Sequence, residues 1–182
     1  MLRSILIVML CVVPIIGQAQ TKHNINVGAE FGLASTEPRA SDADSSRQGD
    51  SYFRMGAGYR FSINDNWSLE ARYLEGFNAG VFAGAKTAMA PSAVKVGGEY
   101  QWYISELNRW VLKAGYAQYL LSASLKSDWQ DNGWNDSGQG AYIATGLRVK
   151  FRSNIEMNWI LSYDKYQPSQ NLGLSAIFGY NF

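Results

Sequence analysis

From Asn24 onward the chain changes polarity at every second residue, which is the pattern of a strand with two unlike faces and not of a helix. The first such segment sets Ile25, Val27, Ala29, Phe31 and Leu33 against Asn24, Asn26, Gly28, Glu30 and Gly32. A second sets Phe53, Met55, Ala57, Tyr59, Phe61 and Ile63 against Arg54, Gly56, Gly58, Arg60 and Ser62, and a third runs from Trp67 to Tyr73. Five more follow: Val94 to Trp102, Trp110 to Tyr116, Ala141 to Phe151, Ile155 to Tyr163 and Leu172 to Phe182. Val111, Ile160 and Ile177 are apolar residues on the polar side. The spacing predicts an all-β fold, an eight-stranded antiparallel up-and-down barrel, with most segments long enough to cross a bilayer at a tilt.

The connections alternate in length. Asn64 to Asn66, Tyr103 to Arg109 and Arg152 to Asn154 are short, whereas 35–50, 74–93, 120–140 and 164–171 are longer. Short periplasmic turns opposite longer external loops are the habit of bacterial outer-membrane barrels, and closure of the first strand on the last removes the edges that lipid would leave unsatisfied.

Alternation alone leaves open a soluble lipocalin-like barrel with its apolar face inward. Three features favour lipid on the outside. The polar face carries Gly28, Gly32, Gly56, Gly58, Gly97, Gly115, Gly146, Gly173 and Gly179, which serve no purpose on a solvated surface but make room in a narrow eight-stranded lumen. The aromatics, 14% of the chain, gather at the ends of the apolar face: Trp67, Trp102, Trp110, Phe151 and Phe182 near the short turns, and Phe31, Phe53, Tyr73, Tyr116 and Tyr163 near the long loops. Two such girdles mark two membrane interfaces. The chain also stops on Phe182, at the apolar parity of its last strand.

Ahead of the first strand, Arg3 precedes an apolar run from Ile5 to Ile16 and then Gly17-Gln18-Ala19, with small residues three and one positions before a cut. This reads as a secretory signal peptide over 1–19, cleaved after Ala19, with the barrel domain over 20–182. The run is too short for a retained helix and contains Pro14. Cys11, the single cysteine, follows Leu10, a poor lipoprotein site, and leaves with the signal. A thiol nucleophile, a disulfide framework and a cysteine metal site are thereby excluded from the mature part. Its formal charge is close to zero, and the loops mix Glu37, Asp42, Asp44 and Asp50 with Arg39 and Arg47, so neither nucleic acid nor heparin is an expected partner.

The stretch GAGYRFSINDNWSLEARY, Gly56 to Tyr73, resembles the second and third strands of the small barrels related to the transmembrane domain of outer membrane protein A. NLGLSAIFGYNF, Asn171 to Phe182, is similar to their last strand. The resemblance implies that Phe182 is a barrel-assembly signal, read by the barrel-assembly machinery. The tethering role of longer relatives, which need a peptidoglycan-binding domain after the barrel, is not expected.

Catalytic chemistry is poorly supplied. Outer-membrane enzymes on this scaffold generally resemble one another in needing a histidine base, and the single histidine, His23, lies at the short-turn end and is expected to be solvated. In SDWQDNGWNDSGQ, Asp128 as a first calcium ligand puts Gln139 where an EF-hand needs a bidentate Glu, so no metal or other cofactor is expected. Trp129 and Trp134 suit either adhesion or headgroup contact.

Register supplies the site residues. If Ile63 faces Trp67, then Arg60 stands opposite Glu70; if Phe151 faces Ile155, Lys150 meets Glu156; and a turn centred on Glu106 sets Glu99 opposite Lys113. All six point inward by parity and are expected to close the lumen as three charge pairs. Glu30 against Arg54, Arg72, Lys95 and Arg148 leaves positive charge over, which calls for water or further acidic partners. The function expected is structural: a non-enzymatic barrel in outer-membrane lipid and lipopolysaccharide, offering the segments 35–50, 74–93, 120–140 and 164–171 to a host or cell-surface ligand. The alternatives are a passive small-solute pore and, behind it, a lipid A-modifying enzyme.

Overall fold

A computed structural model describes residues 22–36, 49–77, 92–120, 137–166 and 169–182. These form eight strands: β1 His23–Thr36, β2 Gly49–Ser62, β3 Trp67–Phe77, β4 Ser92–Tyr103, β5 Asn108–Leu120, β6 Ser137–Lys150, β7 Ile155–Tyr166 and β8 Ser169–Asn181. Each pairs antiparallel with the next, and β1 closes on β8 from Asn24↔Asn181 to Thr36↔Ser169. The sheet has no open edge, so every strand finds its backbone partners within the barrel.

The strands are longer than the alternation suggests. β3 and β5 reach 11 and 13 residues, and parts of all four segments expected as loops belong to the sheet. The β7–β8 ladder runs to Tyr166↔Ser169, leaving only 167–168 between the strands. The reason lies in the outward residues there, Glu75, Gln118, Gln139, Lys165 and Gln170, which are polar and end the alternation although backbone pairing continues above the apolar band. Tyr163 Oη donates to Gln170 Oε1 at 2.9 Å on that rim, and Tyr116 is bonded to Gln139 in the same way. The expected leader and the loop cores at 37–48, 78–91, 121–136 and 167–168 lie outside the described residues.

At the other end the turns are tight and stitched to the next hairpin. Asn64 Oδ1 accepts from the backbone N–H of Asn66 and Trp67, a side-chain mimic of a turn. Asn154 takes φ of 59°, a left-handed conformation Asn tolerates, and its carbonyl accepts from the Asn181 N–H at 2.9 Å.

Parity sorts the faces. Ile25, Val27, Leu69, Val96, Leu174 and Phe178 are half or more exposed on the outer wall, while the alternate residues are buried inside. The three apolar residues on the polar side do not interrupt this order. Val111, Ile160 and Ile177 are buried in the lumen with Leu74, Tyr119, Tyr142 and Ala144. Glycine makes the space. Gly97 and Gly115 face each other in the β4–β5 ladder, and a Cβ on either would come within 2.8 Å of the Tyr142 ring or hydroxyl, so this side chain occupies the space over a bare pair of backbones.

Candidate functional site: the charged lumen

The interior is built by those inward positions. All three expected ladder registers are present: Arg60↔Glu70, Glu99↔Lys113 and Lys150↔Glu156. The ion pairs follow them only in part. Glu99 and Lys113 pair directly at 3.1 Å. Arg60 instead reaches across the lumen to Glu156, and Glu70 pairs with Lys113 and with Arg72 at 3.7 Å. Lys150 has no ion pair among the described residues, because its ladder neighbour Glu156 is held by Arg60 and by Arg148 at 3.4 Å. The expected pairs Arg60–Glu70 and Lys150–Glu156 are therefore corrected. In a narrow closed barrel a long side chain meets the opposite wall as readily as its ladder neighbour.

Two networks result. Near the turn end, Arg148 binds Glu99 at 2.6 Å and Gln101 Oε1 at 2.6 Å, and Arg72 donates to Asn26 Oδ1 at 2.7 Å. The polar series Asn26, Asn24 and Asn181 continues along the β1–β8 seam to Glu156. Nearer the loop end, Glu30 and Asp164 share Arg54 and Lys95: Arg54–Glu30 3.2 Å, Arg54–Asp164 3.6 Å, Lys95–Asp164 2.8 Å and Lys95–Glu30 3.4 Å. Tyr52 and Ser175 donate to Glu30 as well. Asp164 is the further acid the charge count calls for. It lies at the inward parity of β7, one step beyond the last apolar residue of the alternation, and extending that parity finds it.

Between the networks lies a cavity of about 30 Å³, lined by Glu30, Glu70, Lys95, Lys113, Tyr142 and Ile160, among others. That is room for a water or two, well below what a continuous channel needs. The charged groups of both networks are 7% exposed or less, so a solute crossing the lumen would have to break buried, charge-assisted hydrogen bonds.

The outer wall carries the aromatics. Trp67, Trp102, Trp110, Phe151 and Phe182 are all between 38% and 50% exposed, at the turn end. Trp67 meets Tyr100 edge-on at 4.9 Å, and Trp110 Nε1 donates to Thr145 Oγ1 at 2.9 Å. His23, expected in solvent, is half-buried on this wall. It stacks on Phe182 at 5.7 Å, lies beside Phe61 and bonds to the Tyr59 hydroxyl, because closing the barrel brings the first strand against the last.

A closed antiparallel barrel with an apolar outer wall and a charged, glycine-lined interior is the arrangement of a bilayer-spanning protein. Residues 5–182 match the family of outer membrane protein beta-barrel domains. The chain belongs to that family. Its place is the outer membrane of a Gram-negative bacterium. No curated protein sequence matches it. Among solved structures it is similar to Neisserial surface protein A, with a TM-score of 0.57 and 14% identity over 91% of this chain and 100% of the other. It is similar also to the N-terminal barrel domain of Pseudomonas aeruginosa OprF, with a TM-score of 0.54 and 16% identity over 90% and 100% of the two chains. A third likeness is to Ail, the attachment invasion locus protein of Yersinia pestis, with a TM-score of 0.51 and 12% identity over 88% and 99%. At these identities the likeness is one of fold.

Proposed function

We propose that this barrel is a closed, non-enzymatic outer-membrane protein that supports the envelope and presents its connecting segments at the cell surface to an interaction partner. The observation that carries this reading is the lumen: two ion-pair networks, one above the other, fill it where a pore would need water. The chemistry available for display lies in the three longer connections, 37–48, 78–91 and 121–136, while β7–β8 contributes two residues. The name of Ail, an attachment invasion locus protein, fits an adhesive role for a barrel of this shape.

In this reading residues 1–19 are a leader cut after Ala19. Phe182 guides the chain through the assembly machinery, and the two aromatic girdles sit at the lipid and lipopolysaccharide interfaces with the short turns in the periplasm. The central test is planar-bilayer recording of the purified barrel. Little steady conductance supports the closed reading; a stable, large open state would overturn it in favour of transport. A deletion strain assayed together for detergent sensitivity, host-matrix binding and lipid A composition separates the envelope, adhesion and enzyme readings. The mass of the mature N-terminus checks the cut.

A further inference from the structure

Inside the barrel, Arg54, Arg60, Arg72, Lys95, Lys113 and Arg148 each form an ion pair with a buried carboxylate. Arg109 and Lys150, at the mouth on the turn end, have none among the described residues. Both are half-buried and at lumen parity. Arg109 stands directly opposite Arg148 in the β5–β6 ladder, and Lys150 follows two residues on, so three cations occupy one small patch of wall. Like charges so placed repel. No nearby acid forms an ion pair with Arg109 or Lys150 among the described residues: Glu99 and Glu156 are engaged by Arg60, Lys113 and Arg148, and Glu106 in the adjoining turn is exposed. The network next to this mouth already holds four cations, Arg60, Arg72, Lys113 and Arg148, against three carboxylates, Glu70, Glu99 and Glu156.

The geometry of Arg109 is that of a prepared ligand group. Its guanidinium lies over the Tyr103 ring at 4.3 Å, held by a cation–π contact that uses the flat face. Its Nε is buried and has no hydrogen-bond partner. A planar fork braced on an aromatic beside a flexible ammonium suits a tetrahedral oxyanion, for which the fork supplies direction and the ammonium supplies charge.

We propose that this mouth is a phosphate-binding site, with Arg109 and Lys150 as its ligand residues and Tyr103 as the platform. The phosphate belongs either to a soluble anion or to an anionic lipid headgroup at the barrel rim.

The test is the Arg109 Nε–H resonance of the purified barrel in phosphatidylcholine nanodiscs, followed by NMR as sodium phosphate is added at constant ionic strength. A saturable shift is expected, with affinity about tenfold weaker in Lys150→Gln, the size of one charge-assisted contact. Lys165→Gln, at the opposite rim, should leave the affinity unchanged. Nanodiscs doped with phosphatidylglycerol and free of added phosphate form the second arm: the same shift there assigns the phosphate to lipid, and a shift with sodium phosphate alone assigns it to a soluble anion. Lys150→Gln breaks no ion pair, and Tyr103→Leu, which removes only the platform, is a second variant expected to weaken binding. No saturable shift in either arm, or an unchanged affinity in both Lys150→Gln and Tyr103→Leu, would overturn the proposal.

Discussion

Arg60 on β2 and Glu156 on β7 grip each other across the barrel by two parallel bonds, Nη1 to Oε1 at 2.7 Å and Nη2 to Oε2 at 2.8 Å. Neither is the other's ladder neighbour, and both are buried. Removing one partner of such a pair strands the other, at about 3–5 kcal/mol in a dry interior and less where water enters. Glu156→Ala should therefore lower the unfolding temperature, and Arg60→Ala in the same chain should recover part of the loss. A double-mutant cycle of Arg60 with Glu70, which share a register but no ion pair, should show the smaller coupling.

Glu99 is expected to matter more than Glu70. Glu99 lies within reach of Arg148 at 2.6 Å, Lys113 at 3.1 Å and Arg60 at 3.9 Å, whereas Glu70 serves Lys113 and Arg72. Thermal unfolding of Glu99→Ala and Glu70→Ala should rank them in that order. Equal losses would mean that water replaces the missing carboxylate.

Close packing over bare backbone gives a sharper pair of expectations. A Cβ at Gly173 would meet the Tyr52 hydroxyl at 2.5 Å, and a Cβ at Gly56 would meet the Tyr73 carbonyl oxygen at 1.9 Å. Each alanine variant should destabilise by about 1–3 kcal/mol, the usual range of overpacking. Tyr52→Phe removes the obstructing oxygen, so the Gly173→Ala penalty measured in that background should shrink. No side-chain change can relieve Gly56→Ala, since its obstacle is the main chain.

The seam makes a prediction about assembly. Phe182 donates its N–H to the His23 carbonyl at 2.9 Å, accepts from the His23 N–H at 3.2 Å, and stacks on the imidazole. Deleting Phe182 removes all three contacts and should reduce the folded, heat-modifiable band in outer-membrane fractions. His23→Ala keeps the backbone bonds and should cost less.

The strand number, the inward and outward faces and the three turn-end registers were legible because parity and short turns fix them locally. What lay across the lumen was not. The partner of Arg60 depends on closure and on stagger summed over several strands, which no single hairpin records. Asp164 is hidden for a simpler reason: the outer wall turns polar at Lys165 while the ladder continues, so the alternation alone ends the strand at Tyr163. His23 reads as a solvated residue in the sequence because its neighbours in the fold include Phe182, far along the chain.

Among the described residues no ion pair joins the Glu30–Arg54–Lys95–Asp164 network to the one around Glu99 and Glu156, and within the loop-end network two carboxylates face two cations. Polar interiors usually resist piecemeal change, since altering one member disturbs all the rest. Here no ion pair among the described residues carries the disturbance past the cavity. Replacements in one half need compensation only within that half, so the interior has two separate units of inheritance, and related barrels are free to exchange one while keeping the other.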